Sequence, residues 1–213
     1  LVPPPVDDRP VLIDERFVRQ ILPVRRASAH KHQTGTVVVI GGAPNYYGAP
    51  RLSAEAAARA GAGLICVAIP KSIAPVIATQ VPELVIVPLD ESSDQSATQI
   101  LDWIDQRGGH VDAFVIGPGL SQSPSSFAML EQLVGQSDGG LMSRAKQSEH
   151  PSIVLDADAL NWIAKRGVFP DGIPRRSAVL TPHAGELSRL TGVPAGDLLT
   201  DPLSSARGAA AKF

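Results

Sequence analysis

One cysteine, Cys66, serves all 213 residues. No disulfide can therefore form within the chain, and a reducing compartment, the cytoplasm, is the simpler home. No apolar run approaches the roughly 20 residues needed to span a bilayer. Neither sign of charge dominates: 19 Lys and Arg stand against 21 Asp and Glu, a net charge of −2. That gives no electrostatic case for nucleic acid or an anionic membrane as partner. The first ten residues, LVPPPVDDRP, are proline-rich and acidic rather than basic and then apolar, which does not fit a secretory signal. The chain begins with leucine, not methionine, and is expected to be cut from something longer. There is no solenoid-type repeat and no long linker. The GGAPNYYG stretch lacks both the GxGxxG fingerprint of a dinucleotide-binding turn and the lysine of a P-loop.

What the chain does have is ordinary globular composition, 44% hydrophobic and 19% charged, and enough length for one sizeable core. Short β-branched or continuously apolar runs alternate with helical patterns. TVVVIGG, LICVAIP, ELVIVPL, VDAFVIGPG, SIVLDADAL and the start of SAVLTPHAGELSRLTG are strands. PRLSAEAAARAGAG, SIAPVIATQV with an interruption at Pro75, SDQSATQILDWIDQRG capped by Ser93 or Asp94, and SPSSFAMLEQLVGQ are helices. Ile13, Phe17 and Ile21 give LIDERFVRQILP helical spacing, ended by Pro23. The polar, aperiodic GQSDGGLMSRAKQSEHPS is expected to be a surface loop. Strand–helix alternation implies an α/β fold: a central, mostly parallel sheet with helices on both faces, three layers in all. Residues 1–29 form a leader with an N-terminal helix, and residues 30–213 form the main domain.

Ligands of such sheets sit beyond the carboxyl ends of the strands. The residues there are GGAPNYYGAP, GPGLSQS, DADALN and TPHAGE. Gly41 and Gly42 lack β-carbons, which would let their N–H groups approach an anion, with a helix N-terminus behind them. Gly117-Pro118-Gly119 is a second bare turn. Thr181 can cap a helix begun by Pro182, placing His183 and Glu186 in its first turn. Glu186 could pair with Arg189 or touch ligand. Asp156 and Asp158 project alike if the strand runs through them, and Asp158 suits a helix cap at least as well as catalysis. Tyr46 and Tyr47 are core or rim. Lys31 is either solvated or an anion contact beside the first loop.

Taken together, HKHQTGTVVVIGGAPNYYGAPRLSAEAAARAGAGLICVAIP, PEL, VIGPGL, VLDADALN and LTPHAGELSRLTG, in that order from His30 to Gly192, resemble the ribokinase-like NAD(P)H-hydrate dehydratases. The resemblance implies repair of the S-epimer of hydrated NADH or NADPH. ADP or ATP, with Mg2+, phosphorylates the hydrate hydroxyl, and phosphate then leaves. It implies that Ala49, Gly119 and His183 contact the hydrate, that the turn through Glu186 and Arg189 lines the site with Gly117 and Tyr47, and that Asp156 lies near phosphate or metal, with Gly42 and Lys31. It also implies a homo-oligomer, and a fused or separate NAD(P)H-hydrate epimerase as partner.

The chain departs from that pattern after Gly192. A lysine-glycine nucleotide loop and a GTGD-type loop, whose aspartate is the expected general base, are not among its residues. The C-terminal part of a ribokinase-like domain is thus expected to be missing, and an uncovered sheet edge and helix face would then favour association. The alternatives are a ribokinase-fold kinase of a thiazole- or pyrimidine-type alcohol, whose turn TPHAGE also resembles, and a non-catalytic, truncated nucleotide-binding paralogue.

Overall fold

The computed structural model describes residues 10–22, 34–91, 95–145, 152–174 and 177–213. The chain divides into two compact units, Leu1–His30 and Lys31–Phe213. In the first, helix α1 (Glu15–Ile21) is capped by Asp14, whose carboxylate accepts from the Phe17 N–H at 2.8 Å. The helix buries none of its residues. Its apolar spacing is therefore not a core face, and Ile13, 71% exposed, precedes the helix. Pro23 lies outside the described residues.

The second unit is built on six parallel strands: β1 (Thr36–Ile40), β2 (Leu64–Pro70), β3 (Val85–Leu89), β4 (Ala113–Ile116), β5 (Ser152–Leu155) and β6 (Ala178–Leu180). Their order is β3-β2-β1-β4-β5-β6. The winding reverses between β1 and β4, where Val39 lies between Val67 and Val115. Such a reversal opens a crevice at the carboxyl ends of the two strands. Both ends of this pair are pinned. At the amino end the Asp112 carboxylate accepts from the Thr36 N–H at 2.7 Å, and past the carboxyl end the Gly42 N–H donates to Pro118 O at 2.9 Å.

Two cores, one per face, explain why the strand runs are apolar throughout. On one face Val39, Val67 and Ile69 pack with Ala54 of α2 (Gly48–Arg59) and Ile77 of α3 (Ala74–Gln80). On the other, Ile40, Phe114, Ile116 and Leu155 pack with Ile100 of α4 (Ser96–Gln106), Leu130 of α5 (Pro124–Leu130), Leu141 of α6 (Leu141–Arg144) and Leu160 of α7 (Asp158–Arg166). Phe114 is fully buried, and truncating such a ring costs about 3–5 kcal/mol. The chain continues into α8 (Ala184–Thr191), α9 (Ala195–Thr200) and α10 (Pro202–Lys212).

Several local expectations are corrected. Pro75 occupies the first turn of α3 and starts that helix rather than interrupting it. Gln95 holds the capping position of α4, without a side-chain bond, while Ser93 and Asp94 lie outside the described residues. The helix from Ser123 is α-helical only to Leu130 and continues as a π-helical turn, Glu131–Gly135. Arg166 fastens that turn, pairing with the Glu131 carboxylate and donating to Gly135 O at 3.2 Å. The expected surface loop contains α6, with Leu141 and Ala145 buried, in its described part. Past Gly192, the last three residues of GVPAGD open α9.

Candidate functional site

The crevice between β1 and β4 is walled by loops that interlock through main chain. A β-carbon on Gly41 would stand 2.3 Å from Pro118 O, one on Gly119 2.5 Å from Tyr46 O, and one on Gly117 1.9 Å from Asp156 O. Gly117 also has φ +114° and Gly119 φ +65°, where side chains are strained. The glycines are thus bare because loops meet there. This corrects the expectation that the amides of Gly41 and Gly42 await an anion. Gly41 N–H donates to Ala68 O and Gly42 N–H to Pro118 O. Gly117 is buried and donates to Ile40 O, so it serves the frame as well.

The first loop leads into α2 without a side-chain cap: Tyr47 holds the capping position and makes no such bond. The opening amides, those of Gly48 and Ala49, therefore carry the helix's positive end at this edge. Ala49 lies beside Gly119, where an added β-carbon would stand 3.3 Å from the Ala49 Cβ. Tyr46 and Tyr47 are rim residues, 60% and 44% exposed. Beside this loop a cavity of about 280 Å3 opens between Gly42, Glu91, Ser121 and Ser126, with Glu91 fastened to the Ser72 N–H at 3.1 Å.

The third loop differs from expectation. β5 ends at Leu155, Ala157 turns sharply (φ +49°, ψ −114°), and Asp158 begins α7. Asp156 and Asp158 therefore do not continue one strand face. Asp156 is half-buried just past β5. Asp158 accepts from the Ser121 N–H at 2.8 Å through Oδ2 and from Asn161 Nδ2 at 3.1 Å through Oδ1. Ser121 is, among the described residues, the other non-glycine residue with positive φ, +71°. Asn161 was missed as a site residue; its signal was the spacing of three from Asp158, which places both on one face of a helix.

At the fourth loop, helix α8 starts at Ala184, two residues later than expected, and His183 rather than Thr181 is its cap. His183 Nδ1 accepts from the N–H groups of Gly185 (3.0 Å) and Glu186 (3.4 Å). That leaves the ring proton on Nε2. Glu186 reaches back to accept from the His183 N–H at 3.0 Å, closing a capping box, and lies 3.3 Å from His183 Nε2. The buried Glu186 thus pairs with His183, not Arg189. Arg189 donates through Nε to Asn161 Oδ1 at 2.8 Å. Lys31 lies outside the described residues.

A larger groove of about 850 Å3 adjoins α8, lined by Leu180, Leu187, Leu199, Phe169 and Phe213, and carries no charged side chain. It lies beside β6, one of the two edge strands of the described sheet. Among the described residues no group of three His, Cys, Asp or Glu side chains comes together to hold a metal ion. No helix among them is long and apolar enough to cross a membrane.

The architecture is shared with a ribokinase-like superfamily protein of Enterococcus faecalis, at TM-score 0.74 and 22% identity over 94% of this chain and 62% of that one. It is also similar to an ADP/ATP-dependent NAD(P)H-hydrate dehydratase of Bacillus subtilis, crystallised with ATP and Mg2+. That match has TM-score 0.67 and 26% identity, over 92% of this chain and 61% of that one. The bifunctional NAD(P)H-hydrate repair enzyme of Moorella thermoacetica is 35% identical over 198 residues, 92% of this chain and 34% of the relative. The chain therefore spans about a third of that enzyme. Over residues 37–213 the sequence fits the family described as NAD(P)H-hydrate dehydratase, and with the glycine-interlocked crevice at the β1–β4 reversal this chain belongs to that family.

Proposed function

We propose that residues 30–213 form the hydrate-binding part of a nucleotide-dependent NAD(P)H-hydrate dehydratase, with residues 1–29 a leader and helix. The observation that supports this reading most is that the segments carrying Ala49, Gly119, His183 and Arg189 all follow the carboxyl ends of strands in one parallel sheet, whose order reverses between β1 and β4. In the reaction the terminal phosphoryl group of ADP or ATP moves to the hydrate hydroxyl. The C–O bond then breaks, phosphate carries off the oxygen, and loss of a ring proton restores the double bond. Hydroxide is a poor leaving group and phosphate a good one, which is why a kinase-like fold suits a dehydration.

In this reading the uncapped start of α2 and the bare Gly119 turn let the nicotinamide half approach main chain. His183 Nε2–H and the Arg189 guanidinium supply donors for hydroxyl or phosphate oxygens. Tyr47 covers a ring or sugar from the rim. Asp156 faces the phosphates. The described residues do not themselves form a metal cage. Mg2+ would be held chiefly by nucleotide phosphates. The general base is not assigned to any residue of this chain. Cytoplasmic location, self-association through the β6 edge, and an epimerase acting on the same substrate complete the proposal. The bifunctional character of the Moorella relative supports the last of these.

The test is thermal protection of the chain by the S-hydrate of NADPH, together with recovery of reduced-nicotinamide absorbance when Mg2+ and ADP or ATP are supplied. At a hundred times Kd a ligand adds about 2.7 kcal/mol, or several degrees in Tm. Protection without turnover is expected. No protection by the hydrate, or protection by a thiazole or pyrimidine alcohol instead, would overturn the reading.

A further inference from the structure

Three polar contacts run in series along the carboxyl edge of the sheet, from the β4 side of the crevice toward β6. Ser121 N–H donates to Asp158, Asn161 Nδ2 donates to Asp158, and Arg189 Nε donates to Asn161 Oδ1. They join the β4 loop, the first turn of α7 and the last turn of α8. The series has a direction. Asn161 must turn its oxygen to the guanidinium and its NH2 to the carboxylate, because the reverse would set donor on donor and acceptor on acceptor. Asp158 and Asn161 are three apart on α7, so a single helix face carries both links.

The contacts also sit where the backbone is strained. Ser121 and Ala157 are the two non-glycine residues with positive φ among those described, and Asp158 touches one and follows the other. Strain of this kind persists only where the surroundings impose it. An α7 cap would need neither the reach to Ser121 nor the Asn161 bridge.

We propose that Asp158 and Asn161 are positioning residues. They hold the Gly119–Ser121 turn and the Arg189 guanidinium in one fixed relation, so that the Nη groups of Arg189 face a phosphate oxygen of the hydrated dinucleotide lying against Gly119. The proposal rests on the hydrate-binding reading. Arg189 is the contact, and Asn161 acts through it.

A double-mutant cycle tests this, read as the Kd for the S-hydrate of NADPH. Asn161→Ala should weaken binding about tenfold, and in an Arg189→Ala background it should weaken it no further. Equal losses in both backgrounds would overturn the proposal, since a merely structural asparagine costs the same with or without its arginine. Asn161→Asp, which keeps an acceptor for Arg189, should retain more affinity than Asn161→Ala. A second measurement needs no hydrate. The Arg189 Nε–H signal should exchange slowly with solvent in the parent chain and faster in Asp158→Asn, two links away. An unchanged exchange rate would refute the relay. If the parent chain failed to bind hydrate, the functional reading would fall, and the exchange experiment would still decide whether the relay exists.

Discussion

Replacing Gly117 by alanine should be among the most damaging single-methyl changes this chain can suffer. The new β-carbon would stand 1.9 Å from Asp156 O and 2.8 Å from both the Ala159 N and Cβ. All three belong to main chain or to the first turn of α7, so no flexible side-chain end can move aside. The backbone angle, φ +114°, adds conformational strain. Strain of this kind is worth about 1–3 kcal/mol, and overpacking in a tight site about 1–3 kcal/mol more. Together these come to about 4 kcal/mol, or about 8–16 °C in Tm for a chain of this size. Gly61→Ala is the control: its φ of +104° is similarly adverse, yet a β-carbon there meets nothing within 4 Å. It should lose only the strain share. Thermal melts of both variants decide the matter. If Gly117→Ala were no less stable than Gly61→Ala, the β4 loop and α7 would not be interlocked, and the crevice would owe its shape to something other than main-chain contact.

Other outcomes follow from the same geometry. Glu186→Ala removes one half of the α8 capping box and leaves the His183 N–H without its acceptor, which should cost about 1–2 kcal/mol by thermal or urea unfolding; a neutral change would refute the box. The Cys66 thiol is pushed up from 9.0 to about 11 by burial. It should resist iodoacetamide at pH 8 in the native chain and react on unfolding, as mass spectrometry would record. Because the unfolded thiol ionises first, stability should fall as pH rises from about 9 to about 11, by about 2–3 kcal/mol in all. Sedimentation at rising concentration should show self-association, weakened by Leu199→Lys in the groove beside β6. A concentration-independent monomer would count against that expectation.

Much of the fold was legible because its signals are local. Runs such as TVVVI and LICVAIP have no polar face, and only a strand covered on both sides can use them. That placed the sheet, its parallel sense and the edge carrying the loops. The failures concern contacts between residues far apart in sequence, or single backbone angles. Nothing near Gly41 announces that Pro118 O will lie against it, so its bareness read as room for an anion. Nothing in DADAL states that Ala157 will take positive φ and swing Asp158 off the strand. The shift of the α8 cap from Thr181 to His183 was readable in principle. His183 and Glu186 have the spacing of a capping box, with a ring nitrogen in place of a hydroxyl. Short α6 escaped because one turn with one buried leucine gives no periodicity.

The interlock of Gly41, Gly117 and Gly119 with the carbonyls of Pro118, Asp156 and Tyr46 is written in main chain, and every chain possesses a main chain. Rim side chains such as Tyr46 and Tyr47 add nothing to that main-chain interlock, which requires only that those three positions keep no β-carbon. A lineage could therefore exchange the exposed tyrosines at this edge, and with them the molecule it accepts, without rebuilding the cradle. Inheritance of the frame and inheritance of the chemistry are separable here. Loss of a glycine would end both at once, whereas loss of a polar contact would end only the second.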